Sequence, residues 1–125
     1  MSDQGFPSSL RLLNARDYRR VFDRAEFKVH GEGLMALAIS NELGHPRVGL
    51  VFSKKHARRA VDRNRLKRLV RESIRLRQRC LPSVDIVVLA KRGVTELDNA
   101  TLHRQLQSMW QRLRRHSQKR LASTS

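Results

Sequence analysis

FSKKHARRAVDRNRLKRLVRESIRLRQR, residues 52–79, carries twelve lysines and arginines against Asp62 and Glu72 alone, a net +10 of the +16 that the whole chain holds. Charge of one sign at this density repels itself on a bare helix, so the stretch makes physical sense with a polyanion laid against it. Wound as one helix from about Arg59 to Arg79, it gathers Leu66, Leu69, Val70, Ser73, Ile74 and Leu76 on one side. Asn64, Arg68, Arg71, Arg75 and Arg79 fall on the other, with Arg63 and Arg65 at the two edges. Such a helix docks its apolar side on a core and presents a cationic stripe of roughly 22 Å. An ordinary solvated face mixes signs, and this one barely does. Asp62 and Glu72 are expected to pair with arginines of the same helix.

Val48 to Ser53 reads as the strand before this helix, after a turn at Gly44-His45-Pro46. Ahead of it, Phe27–His30 alternates, and Leu34–Ser40 is a nearly continuous apolar run set off by Gly31-Glu32-Gly33. The short connections imply that these three strands are antiparallel neighbours, and Ala36 and Ala38 thin the middle one for close approach of a helix. Beyond the basic helix, Leu81-Pro82-Ser83 stops helicity, and Ile86–Ala90 lacks polar alternation and reads as a buried strand. Lys91 and Arg92 emerge at its end. Thr95 or Asp98 can cap a last helix whose Leu102, Leu106, Met109 and Leu113 recur at helical spacing beside Trp110.

A first helix from Asn14 to Ala25 puts Tyr18, Val21, Phe22 and Ala25 at i, i+3, i+4 and i+7, with Asn14 as N-cap. Two readings of its aromatic pair stand side by side. Periodicity favours Tyr18 and Phe22 as core; rings beside cations also make a groove on which unpaired bases stack. The order is α-β-β-β-α-β-α, an α+β sandwich with helices on a four-stranded sheet. It occupies residues 10–117 as one domain, between a flexible lead at 1–9 and a flexible basic tail at 118–125.

Composition narrows the function classes. At 125 residues, 39% apolar and 30% charged, the core is thin and the surface cationic. No apolar run approaches the length of a membrane span. Cys80 is the only cysteine, which leaves no intrachain disulfide or cysteine-based zinc site and fits a reducing cytoplasm. The five histidines are scattered, without the spacing of a metal or nuclease site. The chain reads as a binder of nucleic acid.

At Arg63-Asn64-Arg65, the run AVDRNRLKRLVRESIR resembles the signature of the bacterial ribonuclease P protein component. NARDYRRVF (14–22), RVGLVFSKK (47–55), VDIVVLAKRG (84–93) and LDNATLHRQLQSMW (97–110) stand in that family's order, so the resemblance covers about residues 10–115. It implies a left-handed crossover where strand, basic helix and strand form a parallel β-α-β unit, against the general right-handed rule. It also implies one copy bound to a catalytic RNA and a cleft for the single-stranded 5′ leader of precursor tRNA. Hydrolysis then belongs to the RNA with Mg²⁺, and the protein alone holds no cofactor and no catalytic residue.

Carried over by position, the RNA-binding set is Arg63, Asn64, Arg65, Lys67, Arg68 and Arg71. The leader cleft is Tyr18, Phe22, Lys54 and Lys55, extended to Ser53, Arg58, Lys91 and Arg92. Tyr18 stands where many relatives have Phe and keeps the stacking face. A structural RNA-binding protein of the ribosomal kind shares the charge but needs no such cleft, and a self-sufficient basic nuclease would need no RNA partner.

Overall fold

The structure, a computed structural model, describes the backbone of residues 8–12 and 14–124 and the side chains of residues 9–12 and 14–118. Helices α1 (Ala15–Arg24), α2 (Ala60–Arg77) and α3 (Asn99–Thr124) and strands β1 (Phe27–His30), β2 (Leu34–Ser40), β3 (Arg47–Val51) and β4 (Val84–Ala90) follow the expected order. Two short 3-10 turns, Ser8–Leu10 and Val94–Glu96, are additions to it. Of the proposed lead, residues 1–7 lie outside the described residues; in the proposed tail, the backbone of α3 continues to Thr124. Among the described residues no helix is long and apolar enough to cross a membrane.

The sheet order is β1-β2-β4-β3, with β3 and β4 parallel and the other pairs antiparallel. This corrects one expectation: β2 and β3 are consecutive but not neighbours, because β4 lies between them. The physical reason lies in both segments. Residues 84–90 are apolar except for Asp85 and bury both faces, which suits an interior position. The connection over 41–46 is long enough to step across one strand, about 10 Å, and is stitched to the head of β4 by Asn41 N–H on the Ser83 carbonyl at 2.9 Å. Beyond β3, the Leu12 N–H donates to the Val48 carbonyl at 3.0 Å, so the chain ahead of α1 covers part of that edge.

The two sheet faces carry separate apolar clusters. On one, Val29, Ala36, Ala38, Ile86 and Val88 meet Leu66, Val70 and Ile74 of α2 and Leu102, Leu106, Met109 and Leu113 of α3. The two small alanines lie in this helix-covered core, as their size suggests. On the other face, Leu37, Ile39 and Val87 meet Leu12 and Val21 under α1. Ser73 interrupts the apolar side of α2 for a reason: its hydroxyl accepts the Trp110 indole N–H at 2.7 Å, so the buried ring leaves no orphan donor. Leu76 departs from expectation and is 66% exposed, since it sits at the margin of the stripe in the last turn of the helix.

Candidate nucleic-acid interface

Helix α2 takes the orientation its periodicity dictates. Leu66, Val70, Ser73 and Ile74 are buried, while Asn64 and Arg68 are exposed and Lys67 and Arg71 are partly covered. The two acids are used within the helix: Arg59 Nε reaches Asp62 at 3.0 Å, and Arg75 Nη2 reaches Glu72 at 2.6 Å. Hydrogen bonding to Arg75 holds the Glu72 carboxyl below its ordinary range. Arg75 of the stripe thus carries its own counter-charge. The outward face around Asn64, Lys67 and Arg68 keeps its excess of positive charge.

Arg63 and Arg65 behave differently from the rest of the stripe. The Arg63 Nη1 donates to the carbonyls of Ala57 and Arg58, both at 2.9 Å. The Arg65 Nη1 donates to Asn99 Oδ1 at 2.7 Å and to the Leu97 carbonyl at 3.3 Å. The helical wheel puts both at the edges of the stripe and the family resemblance puts both in the RNA-binding set; the geometry adds internal partners that charge counting does not reveal.

On the opposite face of the sheet, α1 covers one end of β2 and β4. It is capped as expected, with Asn14 Oδ1 accepting the Asp17 N–H at 2.9 Å. Of its four residues at inward spacing, only Val21 is fully buried. Tyr18 is half-buried, its hydroxyl accepting the Leu50 N–H at 3.3 Å, and its ring fits because Gly49 has no side chain: a Cβ there would fall 2.5 Å from Cε1. Phe22 is 44% exposed and Ala25 is exposed, so the core reading of Phe22 is set aside. Beyond α1, Met35, Leu89 and Val51 lie side by side in register across β2, β4 and β3 and are only partly covered. The result is an apolar floor with an aromatic edge.

A buried ion cluster holds α1 on the sheet at the other end of β4, beside that floor. Asp85 is fully buried and accepts from Arg47 Nε at 2.8 Å, Arg47 Nη2 at 2.7 Å and Asn41 Nδ2 at 2.8 Å. Arg20 of α1 reaches it at 3.4 Å, and Arg47 in turn meets Asp17 of α1 at 3.5 Å. Burial alone would push the Asp85 carboxyl up; the bonds from Arg47 and Asn41 and the nearby positive charge outweigh it, and the group lies below the ordinary carboxylate range. Sequence reasoning missed this cluster. Its signal was a single aspartate in an otherwise apolar strand, which has to find a cation.

The remaining cleft residues ride on the loops that leave β3 and β4, whose C-terminal ends adjoin because the strands are parallel. Ser53, Lys54, Lys55, Arg58 and Arg92 are exposed. Lys55 and Arg58 line an open concavity of about 640 Å³ with Arg59, Asp62 and, from the other loop, Thr95. Lys91 is less free: its Nζ donates to the Gly31 carbonyl at 3.2 Å. Gly93 adopts φ +88°, the left-handed turn that reverses the chain after Arg92. The histidines stay dispersed over β1, two loops and α3, and no three His, Cys, Asp or Glu side chains among the described residues come together.

The comparisons with known proteins agree with this geometry. Residues 6–114 match the family described as Ribonuclease P. A ribonuclease P protein component from Chromohalobacter salexigens is 67% identical over 99% of this chain and 98% of its own length. One from Pseudomonas aeruginosa is 48% identical, covering 93% of this chain and 86% of its own. The ribonuclease P protein from Thermotoga maritima superposes with a TM-score of 0.73 at 30% identity, over 82% of this chain and 96% of that one. That from Staphylococcus aureus gives 0.74 at 25%, over 80% and 91%. By sequence and fold together, the chain belongs to the bacterial ribonuclease P protein family.

Proposed function

We propose that the chain is the protein subunit of ribonuclease P, the ribonucleoprotein endoribonuclease of tRNA processing. In this reading it binds the catalytic RNA through Asn64, Lys67, Arg68 and Arg71 of α2, flanked by Arg63 and Arg65. It receives the single-stranded 5′ leader of precursor tRNA in the groove edged by Tyr18 and Phe22. Ser53, Lys54, Lys55, Arg58, Lys91 and Arg92 stand at the groove's cationic end.

One observation carries the reading. A strongly cationic surface on α2 and an aromatic-edged apolar floor beside α1 lie on opposite faces of one sheet, with the cationic loops after β3 and β4 at their shared end. A protein that only coats RNA has no use for the second surface. Phosphate neutralisation by α2 lowers the repulsion between two RNAs, and the groove favours precursor over product because product lacks the leader. Mg²⁺ bound with the RNA subunit supplies the hydrolytic chemistry; this chain's described residues offer no carboxylate set for it and serve to bind and orient. The reaction belongs to the cytoplasm, where precursor tRNA is made, with one protein per RNA.

The test is the affinity of reconstituted holoenzyme for precursor with a long leader against precursor trimmed to one leader nucleotide. Tighter binding of the long leader, dependent on the protein, is expected. Equal affinities would return the chain to general RNA binding.

A further inference from the structure

We infer that Arg63 and Arg65 are positioning residues: from the head of α2 they brace the two loops that form the cationic end of the groove. The inference rests on the proposed function and divides the RNA-facing set into residues that touch RNA and residues that hold the protein in shape for it.

Each arginine anchors a different loop. Arg63 reaches back to the carbonyls of Ala57 and Arg58, which precede α2 and lie outside its own hydrogen-bond ladder. The same loop is closed on itself by the N–H groups of His56 and Ala57 on the Ser53 carbonyl, at 3.2 and 2.9 Å, and Ala57 is fully buried. Fixing the carbonyls at its end therefore fixes the turn that carries Lys54 and Lys55. Arg59, the N-cap residue, makes no side-chain cap and turns its Nε to Asp62 at 3.0 Å instead.

Arg65 reaches the other way, to Leu97 and Asn99. That segment is continuous with Lys91 through a run of turn bonds. The Val94 N–H meets the Lys91 carbonyl at 3.2 Å, Glu96 meets Gly93 at 3.1 Å, and Leu97 meets Val94 at 3.2 Å. A tether on Leu97 is transmitted to Lys91 and Arg92 through this short 3-10 turn. The two loops face each other across the open concavity lined by Lys55, Arg58 and Thr95, so the arginine pair holds both of its lips. A guanidinium suits the task because its fork can hold two carbonyl oxygens at once and keep its charge. Asn64 lies between the two arginines with its side chain exposed, and Arg68 follows it one turn on along the same side.

A direct phosphate contact and a brace give different signatures. Holoenzymes would be reconstituted with R65A, N99A, the R65A/N99A double variant and R68A. Each is measured for the salt slope of protein binding to the RNA subunit and for the long-leader to short-leader affinity ratio. The brace predicts that R65A and N99A each lower the ratio about three- to tenfold and that the double variant is no worse than the worse single. Their salt slopes stay at the wild-type value, whereas R68A lowers its slope by roughly 0.7–0.9 and keeps its ratio. N99A truncates one exposed residue at the start of α3, so the test stays decisive if R65A folds poorly. A slope that falls in R65A with an intact ratio, or effects of R65A and N99A that multiply, would overturn the brace while leaving the leader groove standing. A wild-type holoenzyme indifferent to the leader would instead overturn the groove.

Discussion

Replacing Asp85 by Asn removes one charge from the cluster that clamps α1 to the sheet and changes almost no volume. The wild-type carboxylate is fully buried and receives two bonds from Arg47, at 2.7 and 2.8 Å, one from Asn41 and a longer one from Arg20. Deleting one partner of a buried ion pair costs about 3–5 kcal/mol, because the other charge is left uncompensated. Here Arg47 keeps Asp17 at 3.5 Å and its side chain is 22% exposed, which lowers the expected loss to about 2–3 kcal/mol. Against a total of about 5–15 kcal/mol this is a large fraction. In thermal melts it corresponds to a fall of roughly 6–15 °C.

The same substitution has a pH signature. The folded pKa of Asp85 lies below its unfolded value, so its contribution is complete above the ordinary carboxylate pKa of about 3.9 and is lost as pH falls through that range towards the folded value. Melting profiles followed by circular dichroism from neutral pH down to pH ~3 should show wild type converging on D85N in acid. Glu72 and Asp98 are also held low and keep part of the acid slope in both proteins. A D85N midpoint within about 2 °C of wild type at neutral pH, or a gap between the two that does not narrow in acid, would refute the assignment of Asp85 as the clamp.

Phe22→Ala should cost folding only about 1–2 kcal/mol, against about 3–5 for a fully buried phenylalanine, because the ring is 44% exposed. Its larger effect should be on holoenzyme affinity for long-leader precursor, about 1–3 kcal/mol, with the trimmed substrate unaffected; equal losses on both would remove Phe22 from the groove. Gly49→Ala drives a methyl to 2.5 Å from the Tyr18 ring and should destabilise by about 1–3 kcal/mol, read as a lower urea midpoint; a tolerated alanine would show that Tyr18 does not need that edge. Low-millimolar sulfate should raise the melting midpoint over chloride at matched ionic strength, given the +10 concentrated between residues 52 and 79, and equal midpoints would count against discrete anion sites.

Much of this architecture is legible in the sequence where a local rule acts alone. The helical period of Leu66, Val70 and Ile74 and the unbroken apolar run of β4 identify their elements and buried sides, and Asn14 and Asp98 mark helix starts through their caps. Strand order is not local. The connection over 41–46 permits either a hairpin or a step across a strand, and what decides is β4's need for neighbours on both edges, which the loop does not encode. Side-chain partners across long separations were equally hidden: Asp85 finds Arg47 and Asn41, and Ser73 finds Trp110, through tertiary packing. The aromatic pair on α1 shows the limit of periodicity. Tyr18, Val21 and Phe22 share one helical spacing, yet the sheet edge meets Val21 fully, Tyr18 by half and Phe22 least, because α1 covers only one end of the face.

In the proposed function this protein serves a catalytic RNA and does not cut by itself. Its most direct test is cleavage of precursor tRNA at low Mg²⁺ by the purified chain alone, by ribonuclease P RNA alone, and by the two together. No cleavage is expected from the protein, weak cleavage from the RNA, and strong cleavage at the 5′ leader junction only when both are present. Cleavage by the highly purified protein without RNA, or no gain on adding the protein to the RNA, would contradict it.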